Sequence, residues 1–165
     1  MDIDLDFIRL PNVFEQSILA SGPFINKAEA SQLEKVKPST FLKLYNNKTV
    51  LTTKACLNKL KKLVDVVKEK WQQKYALILA NGYMPQKSAY LLDNSLHYEG
   101  RALDIQLKER RSSKKLEDAA KQKTKDDKIH HRLAWLAYYK AGFNFARPKK
   151  TFYGELLHVS CRRDR

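Results

Sequence analysis

Apolar residues recur at intervals of three and four between Leu51 and Tyr75, which is the spacing that one face of an α-helix requires. Thr52 or Thr53 is suited to the N-cap of this helix, because a side-chain hydroxyl oxygen accepts a hydrogen bond from a backbone amide of the first turn. The pattern therefore predicts a helix in this region. Its buried face would consist of Leu57, Leu60, Val64, Val67 and Trp71.

Two strands are predicted after this helix. The run Tyr75–Ala80 is short and apolar and is stopped by an Asn-Gly pair, which indicates a buried strand. A second strand is predicted over Arg101–Leu107. Side chains alternate along a strand, so Asp104 should point away from the apolar face. That apolar face would consist of Leu103, Ile105 and Leu107.

The stretch 108–128 is almost entirely polar, with Leu116 as its only sizeable apolar residue, and this composition predicts a solvated loop. Helical spacing returns at Ile129, and Gly142 is placed where a helix commonly ends in the left-handed conformation. His130 and His131 are adjacent at the start of this second helix, where their side chains diverge, and we expect both at the surface.

The last part of the chain predicts a turn at Pro148 and a final strand over Glu155–Cys161, in which Leu157 and Val159 alternate with polar residues. Helices and strands do not alternate regularly along the chain. The pattern therefore favours a single α+β domain over 1–165, with a small mixed sheet packed against two main helices and a charged excursion at 108–128.

Composition narrows the class of protein. A chain of 165 residues is long enough for one core, and its net charge of +14 favours a polyanionic partner such as nucleic acid, a glycosaminoglycan or an anionic membrane face. No transmembrane segment or secretory signal is apparent, which leaves the compartment open. Cys56 and Cys161 are too few for a disulfide framework, and we expect two buried free thiols, with a single bridge as the alternative.

Candidate metal ligands occur in the segment SLHYEGRALDI and on the final strand. His97 and Asp104 are seven residues apart, with Gly100 between them to let the backbone turn. His158 is the third candidate. Zinc accepts imidazole nitrogen and carboxylate oxygen, and a site with three protein ligands keeps a position open for water. Taken alone, however, a histidine and an aspartate at this spacing also fit an ordinary surface pair.

The wider pattern of these residues resembles known zinc sites. Ser-x-His-x-x-Gly-Arg-Ala-x-Asp, followed far downstream by Glu-x-x-His, is similar to the pattern of D-alanyl-D-alanine carboxypeptidases and of the hedgehog signalling domain. The resemblance to hedgehog is closer and extends over most of the chain. It includes, in the same order, the segments LPNVFEQSILASG, LTTKACLNKL, SLHYEGRALDI and LAYYKAGFNFA.

The resemblance implies that His97, Asp104 and His158 bind one zinc ion and that Glu155 matches the general base of the peptidases. The arginine with which these peptidases stabilise substrate is replaced by Met84, and Lys87 or Arg101 is the candidate substitute. Residues three apart on an unbroken strand face opposite sides, so Glu155 and His158 need a bend or bulge to reach one metal, and Gly154 is the candidate for it. 

Two departures from the hedgehog pattern concern ligands other than zinc. The stretches that carry the acidic, calcium-binding clusters of hedgehogs are YNNKTVL and NGYMPQKSAYLLDN here, so calcium is not expected. The run KERRSSKK is either a solvated loop, a nucleic-acid contact or, as in hedgehogs, a glycosaminoglycan site. Nucleic acid is the less favoured partner, because the run has no aromatic residue for base stacking. The glycosaminoglycan contacts would be Lys108, Arg110, Arg111, Lys114 and Lys115.

Two functions follow from these resemblances. The complete Glu-x-x-His favours a zinc-dependent peptidase or amidase of the D-alanyl-D-alanine carboxypeptidase type, with Glu155 as the base. The alternative is a non-catalytic hedgehog-type signalling or binding module, in which zinc is structural or recognises a partner such as a protein receptor and the basic surface binds glycosaminoglycan. If the protein is a processed hedgehog-like ligand, we expect it to be extracellular. Otherwise we expect it to be intracellular.

Overall fold

A computed structural model describes residues 33–84, 96–110, 128–151 and 154–161. Within these ranges the chain forms seven strands and two helices. The strands are β1 (Glu34–Lys35), β2 (Leu42–Leu44), β3 (Leu51–Thr52), β4 (Tyr75–Asn81), β5 (Ala102–Glu109), β6 (Phe145–Thr151) and β7 (Gly154–Ser160). The helices are α1 (Lys54–Lys70) and α2 (Ile129–Trp135), and a π-helical turn, Leu136–Lys140, extends α2.

The strands build a mixed sheet, as the sequence predicted. Its order is β2-β4-β5-β7-β6, with β2 parallel to β4 and every other pair antiparallel. Strands β1 and β3 form a separate antiparallel pair. Both helices contribute to one hydrophobic core with the sheet, and this arrangement confirms the α+β class. None of the described helices is long and apolar enough to cross a membrane.

Helix α1 is capped by Thr53, whose side chain accepts a hydrogen bond from the backbone amide of Cys56 at 3.3 Å. The helix ends at Lys70, so Trp71, predicted on its buried face, is its C-cap residue. Gln72 and Gln73 then adopt φ values of 50° and 63°, a left-handed conformation that stops the helix before β4. Its buried residues are Cys56, Leu57, Leu60, Leu63 and Val67, while Val64 and Trp71 are only partly buried against the core.

The predicted alternation along β5 is confirmed. Leu103, Ile105 and Leu107 are buried in the core with α1 and α2, so Asp104 lies on the opposite face of the sheet. That opposite face is not solvated, however, since Asp104 is 1% exposed. Strand β5 therefore positions an acidic side chain in a buried environment, where it needs polar or charged partners.

The turn predicted at Pro148 is wrong. Pro148 lies inside strand β6, opposite Leu157 of β7. Strand β6 is at the edge of the sheet, where proline is tolerated because the missing N–H can face away from the neighbouring strand. As a consequence, residues on both sides of Pro148 extend along the strand that carries His158.

The surface position predicted for His130 is also wrong, because this side chain is buried. Its Nε2 atom accepts a hydrogen bond from the backbone amide of Leu107 at 3.4 Å, which links α2 to β5. Burial lowers the pKa of His130 from 6.5 to about 4. The imidazole is therefore neutral at pH 7, as an acceptor at Nε2 requires.

We expect His130 to make the fold sensitive to acid. A histidine whose pKa is lower in the folded chain stabilises the fold fully above pH 6.5, and this stabilisation is lost as the pH falls toward 4. The loss amounts to about 3 kcal/mol, at about 1.4 kcal/mol per pKa unit. The free energy of unfolding can be measured in urea at pH 7 and at pH 4. Between these pH values it should fall by about 3 kcal/mol less in His130→Gln than in the wild type. In His131→Gln it should fall as much as in the wild type. Equal acid losses in all three proteins would contradict this assignment.

Candidate metal centre

His97 lies in a single 3-10 turn, Leu96–Glu99, that precedes β5. The turn closes at Gly100, whose φ of +70° is available to glycine without strain and whose added Cβ would lie 2.5 Å from the Leu33 side chain. The carbonyl of Gly100 accepts hydrogen bonds from the Thr52 hydroxyl at 2.9 Å and from the Thr53 amide at 3.0 Å. The turn is thereby fixed to the start of α1.

Asp104 and His158 are brought together by the pairing of β5 with β7. The two residues are directly opposite one another in the antiparallel register, so their side chains share a face. Asp104 Oδ1 lies 2.9 Å from His158 Nδ1. The ring centroids of His97 and His158 are 5.3 Å apart, so the three predicted ligands meet in one place.

The Asp104 carboxylate is the centre of this group. Its Oδ2 accepts a hydrogen bond from Asn81 Nδ2 at 3.0 Å and lies 3.3 Å from His97 Nε2. Its Oδ1 faces both His158 and the ammonium group of Lys149, whose Nζ is 3.1 Å away. Both oxygens therefore have polar partners, as a buried carboxylate requires.

The surroundings of Asp104 favour its charged form. Burial by itself raises the pKa of the carboxyl group, but its interactions with the His158 and His97 rings outweigh the burial. The pKa of Asp104 consequently lies well below its usual range. Asp104 is therefore a carboxylate at neutral pH, which is the form that binds a metal.

A backbone carbonyl orients the ring of His97. His97 Nδ1 lies 2.8 Å from the carbonyl oxygen of Gly82, which can only accept a hydrogen bond, so Nδ1 carries the proton. In the neutral ring this leaves the lone pair on Nε2, the atom that faces Asp104. Histidines that bind metals usually donate their second ring N–H in this way.

The donor set fits zinc. Ligand atoms of His97, Asp104 and His158 all lie within 4.8 Å of one another, and no other described His, Cys, Asp or Glu belongs to the group. Two imidazole nitrogens and one carboxylate oxygen are donors that zinc accepts. The side chain of His158 is 15% exposed, in contrast to 1% for His97, so the site is accessible from the side of His158.

Glu155, the predicted general base, is on β7 three residues before His158, and strand alternation indicates that it lies on the other face. Gly154 has a φ of +109° at the first position of β7. Beyond it the pairing with β6 runs without a shift in register to the end of the strand. Alternation then places Glu155 on the same face as the buried Leu157 and on the face opposite His158. The catalytic role of Glu155, which needs a bend at Gly154, therefore stays a prediction from the sequence.

Arg101, the other predicted catalytic residue, is buried beside Glu99, with its Nε 3.9 Å from Glu99 Oε1. The backbone carbonyl of Arg101 accepts hydrogen bonds from the Cys161 amide at 2.9 Å and from the Cys56 thiol at 3.4 Å.

Both cysteines are free and buried, as predicted. A hydrogen bond with Cys56, together with burial, raises the pKa of Cys161.

Three groups at the centre were not anticipated: the amide of Asn81, the carbonyl of Gly82 and the ammonium of Lys149. Asn81 reaches Asp104 through an irregularity in the β4–β5 register. Lys149 reaches it from β6, a strand that the sequence did not predict. Arg147 pairs with His158 and Lys149 is two residues further along the same face, but this pairing is visible only once β6 is known, so the sequence carried no signal for Lys149.

The predicted polyanion-binding segment lies mostly outside the described residues, which include Lys108 and Arg110 but not Arg111, Lys114 or Lys115. Arg110 is exposed, donates a hydrogen bond to the carbonyl of Gln73 at 3.0 Å, and has its guanidinium carbon 4.3 Å from the Phe41 ring centroid. The segment LPNVFEQSILASG and most of NGYMPQKSAYLLDN also lie outside the described residues.

This fold and this site together define the class of protein: an α+β domain in which two histidines and an aspartate can hold a metal ion. The sequence model of the hedgehog amino-terminal signalling domain matches residues 6–160, and the chain belongs to this family. A search of curated proteins found no match.

Proposed function

We propose that this hedgehog signalling domain binds one zinc ion through His97, Asp104 and His158 and acts by binding a protein receptor, without hydrolysing peptides. The convergence of the three ligand atoms within 4.8 Å carries the proposal. The orientation of His97 by the Gly82 carbonyl and the ionised state of Asp104 add to it. Family membership supports a protein receptor as the partner.

The absence of catalysis is inferred from the surroundings of the zinc ligands. Zinc bound there would act as a Lewis acid, which in hydrolases polarises the scissile carbonyl and activates water. A hydrolase also needs a base within hydrogen-bond reach of that water. Strand alternation favours the opposite face of β7 for Glu155, and among the described residues the Lys149 ammonium lies 3.1 Å from Asp104 Oδ1. An ammonium group has no lone pair with which to accept a proton.

A zinc peptidase is the second candidate function. The Glu-x-x-His of Glu155 and His158 favours it, as does the partial exposure of His158, which gives a substrate access to the ligands. It requires Glu155 to turn to the other face of the sheet when a metal and a substrate bind. The two functions therefore differ in what Glu155 does.

The proposal is tested by zinc content and peptide hydrolysis in the same protein samples. Mass spectrometry of dialysed protein should find one zinc per chain in the wild type and in Glu155→Gln. A mixed library of peptides and D-alanyl peptides should remain uncleaved by both proteins. Glu69→Gln, an exposed change on α1, provides the matched loss of one negative charge.

Two results would contradict the proposal in different ways. If no zinc is found in the wild-type protein, the proposed metal site is wrong. Turnover by the wild type and Glu69→Gln that collapses in a zinc-loaded Glu155→Gln would instead establish the peptidase. Glycosaminoglycan binding through the basic segment at Lys108 and Arg110 stays a prediction from the sequence.

A further inference from the structure

We propose that Lys149 is an internal cation that pairs with Asp104 in the metal-free domain and must be displaced when zinc binds, so that it sets the metal affinity of the centre. This inference rests on the proposed zinc binding. It gives a role to Lys149, which is neither a proposed metal ligand nor a predicted catalytic residue.

The geometry places Lys149 among the ligands. Arg147 of β6 is directly opposite His158, and Lys149, two residues further, therefore projects from the same face of the sheet. Its Nζ lies 3.1 Å from Asp104 Oδ1, the oxygen that also faces His158 Nδ1 at 2.9 Å. The ammonium group thus competes with a metal for the same oxygen.

The exposures of the two charged groups make the pair asymmetric. The side chain of Asp104 is 2% exposed, whereas that of Lys149 is 39% exposed. A buried carboxylate without a counter-charge is costly, so the metal-free centre benefits from the ammonium. The long lysine side chain reaches in from the edge strand and can withdraw its charge into water when a dication arrives.

The other charged and polar groups around Asp104 act differently. His97 and His158 are themselves proposed ligands, and Asn81 is neutral. Lys48 donates a hydrogen bond from Nζ to Asn81 Oδ1 at 3.0 Å and interacts with the charge of Asp104 without forming an ion pair. Arg147 has its guanidinium carbon 5.6 Å from the ring centroid of Phe145. Among the described side chains with a permanent positive charge, Lys149 alone makes an ion pair with Asp104.

The test compares zinc affinities, measured by competition with a chromophoric chelator, for the wild type, Lys149→Met and Lys150→Met. Both variants lose one positive charge, but Lys150 alternates to the other face of β6, opposite Glu155. Removing a charge that repels zinc at close range should tighten binding by about tenfold in Lys149→Met. Lys150→Met should stay within about twofold of the wild type, and so should Lys149→Arg, which keeps the charge.

A second measurement uses stability and does not depend on activity. Lys149→Met should lower the melting temperature of the chelator-treated domain, because Asp104 then loses a counter-charge, and zinc should abolish this difference. The inference would be overturned if Lys149→Met bound zinc no more tightly than the wild type. It would also be overturned if Lys150→Met tightened zinc binding as much as Lys149→Met does. Either result would leave zinc binding itself intact. A wild type that binds no zinc would overturn the proposed function itself.

Discussion

Replacing Asp104 by asparagine will lower the affinity of the domain for zinc by roughly 10²- to 10³-fold. Asparagine keeps the size of the side chain and one oxygen, but it removes the negative charge on which both histidines and Lys149 converge. The binding free energy of zinc at a structural site is on the order of 10 to 16 kcal/mol, and it is shared among the ligands. Loss of one ligand should therefore weaken zinc affinity by a factor of this order. Chelator competition measures it directly.

Asp65→Asn is the matched control for this experiment, because it removes one negative charge from an exposed position of α1. Its zinc affinity should equal that of the wild type. If Asp104→Asn retains wild-type affinity, Asp104 is not a ligand, and the group formed with His97 and His158 loses its central member.

Gly82→Ala should produce the second large effect, on stability and on the metal site together. An added Cβ would lie 2.5 Å from Val50 Cγ1 and 2.7 Å from the carbonyl oxygen of Leu51, and the backbone atom cannot move aside as a flexible side chain can. Overpacking of this kind costs about 3 kcal/mol. For a chain of this length, the melting temperature should fall by about 6 to 12 °C.

The same change should weaken zinc binding by roughly 10- to 100-fold, because the Gly82 carbonyl that orients His97 would shift. Gly142→Ala is the control: Gly142 has a φ of +88° but nothing within 4 Å of an added Cβ, so it should lose some stability and no zinc affinity. Thermal unfolding and chelator competition on both variants separate the two effects. Unchanged zinc affinity in Gly82→Ala would show that its carbonyl does not orient the ligand.

Local patterns predicted the elements on which the site is built. Helical spacing located α1, a threonine hydroxyl marked its start, and alternation placed Asp104 on the face opposite the core. These features depend on neighbours in sequence, so a single sequence suffices to find them. The set of three ligands came from the resemblance to hedgehog domains, since two histidines and an aspartate far apart along a chain carry little information by themselves.

The failures concern contacts between distant segments. Pro148 suggested a turn because proline cannot donate to a neighbouring strand, yet an edge position removes that restriction, and only the strand order reveals which strand is at the edge. The role of Glu155 stays a prediction, because the face on which it lies depends on the register with β6, which the sequence does not reveal. His130 and Lys149 were missed for the same reason, because each acquires its role from a partner on a distant strand.

The carbonyls of Gly100 and Arg101 have a further consequence for how the domain opens. Gly100 binds Thr52 and Thr53 at the start of α1, while Arg101 binds Cys56 in the first turn of that helix and Cys161 at the end of the strand that carries His158. Fraying of the first turn of α1 therefore breaks the same hydrogen bonds that hold the loop of His97. The helix start and the turn that carries His97 are thus joined by hydrogen bonds, and a metal ion bound at the proposed site would be expected to suppress local unfolding of both.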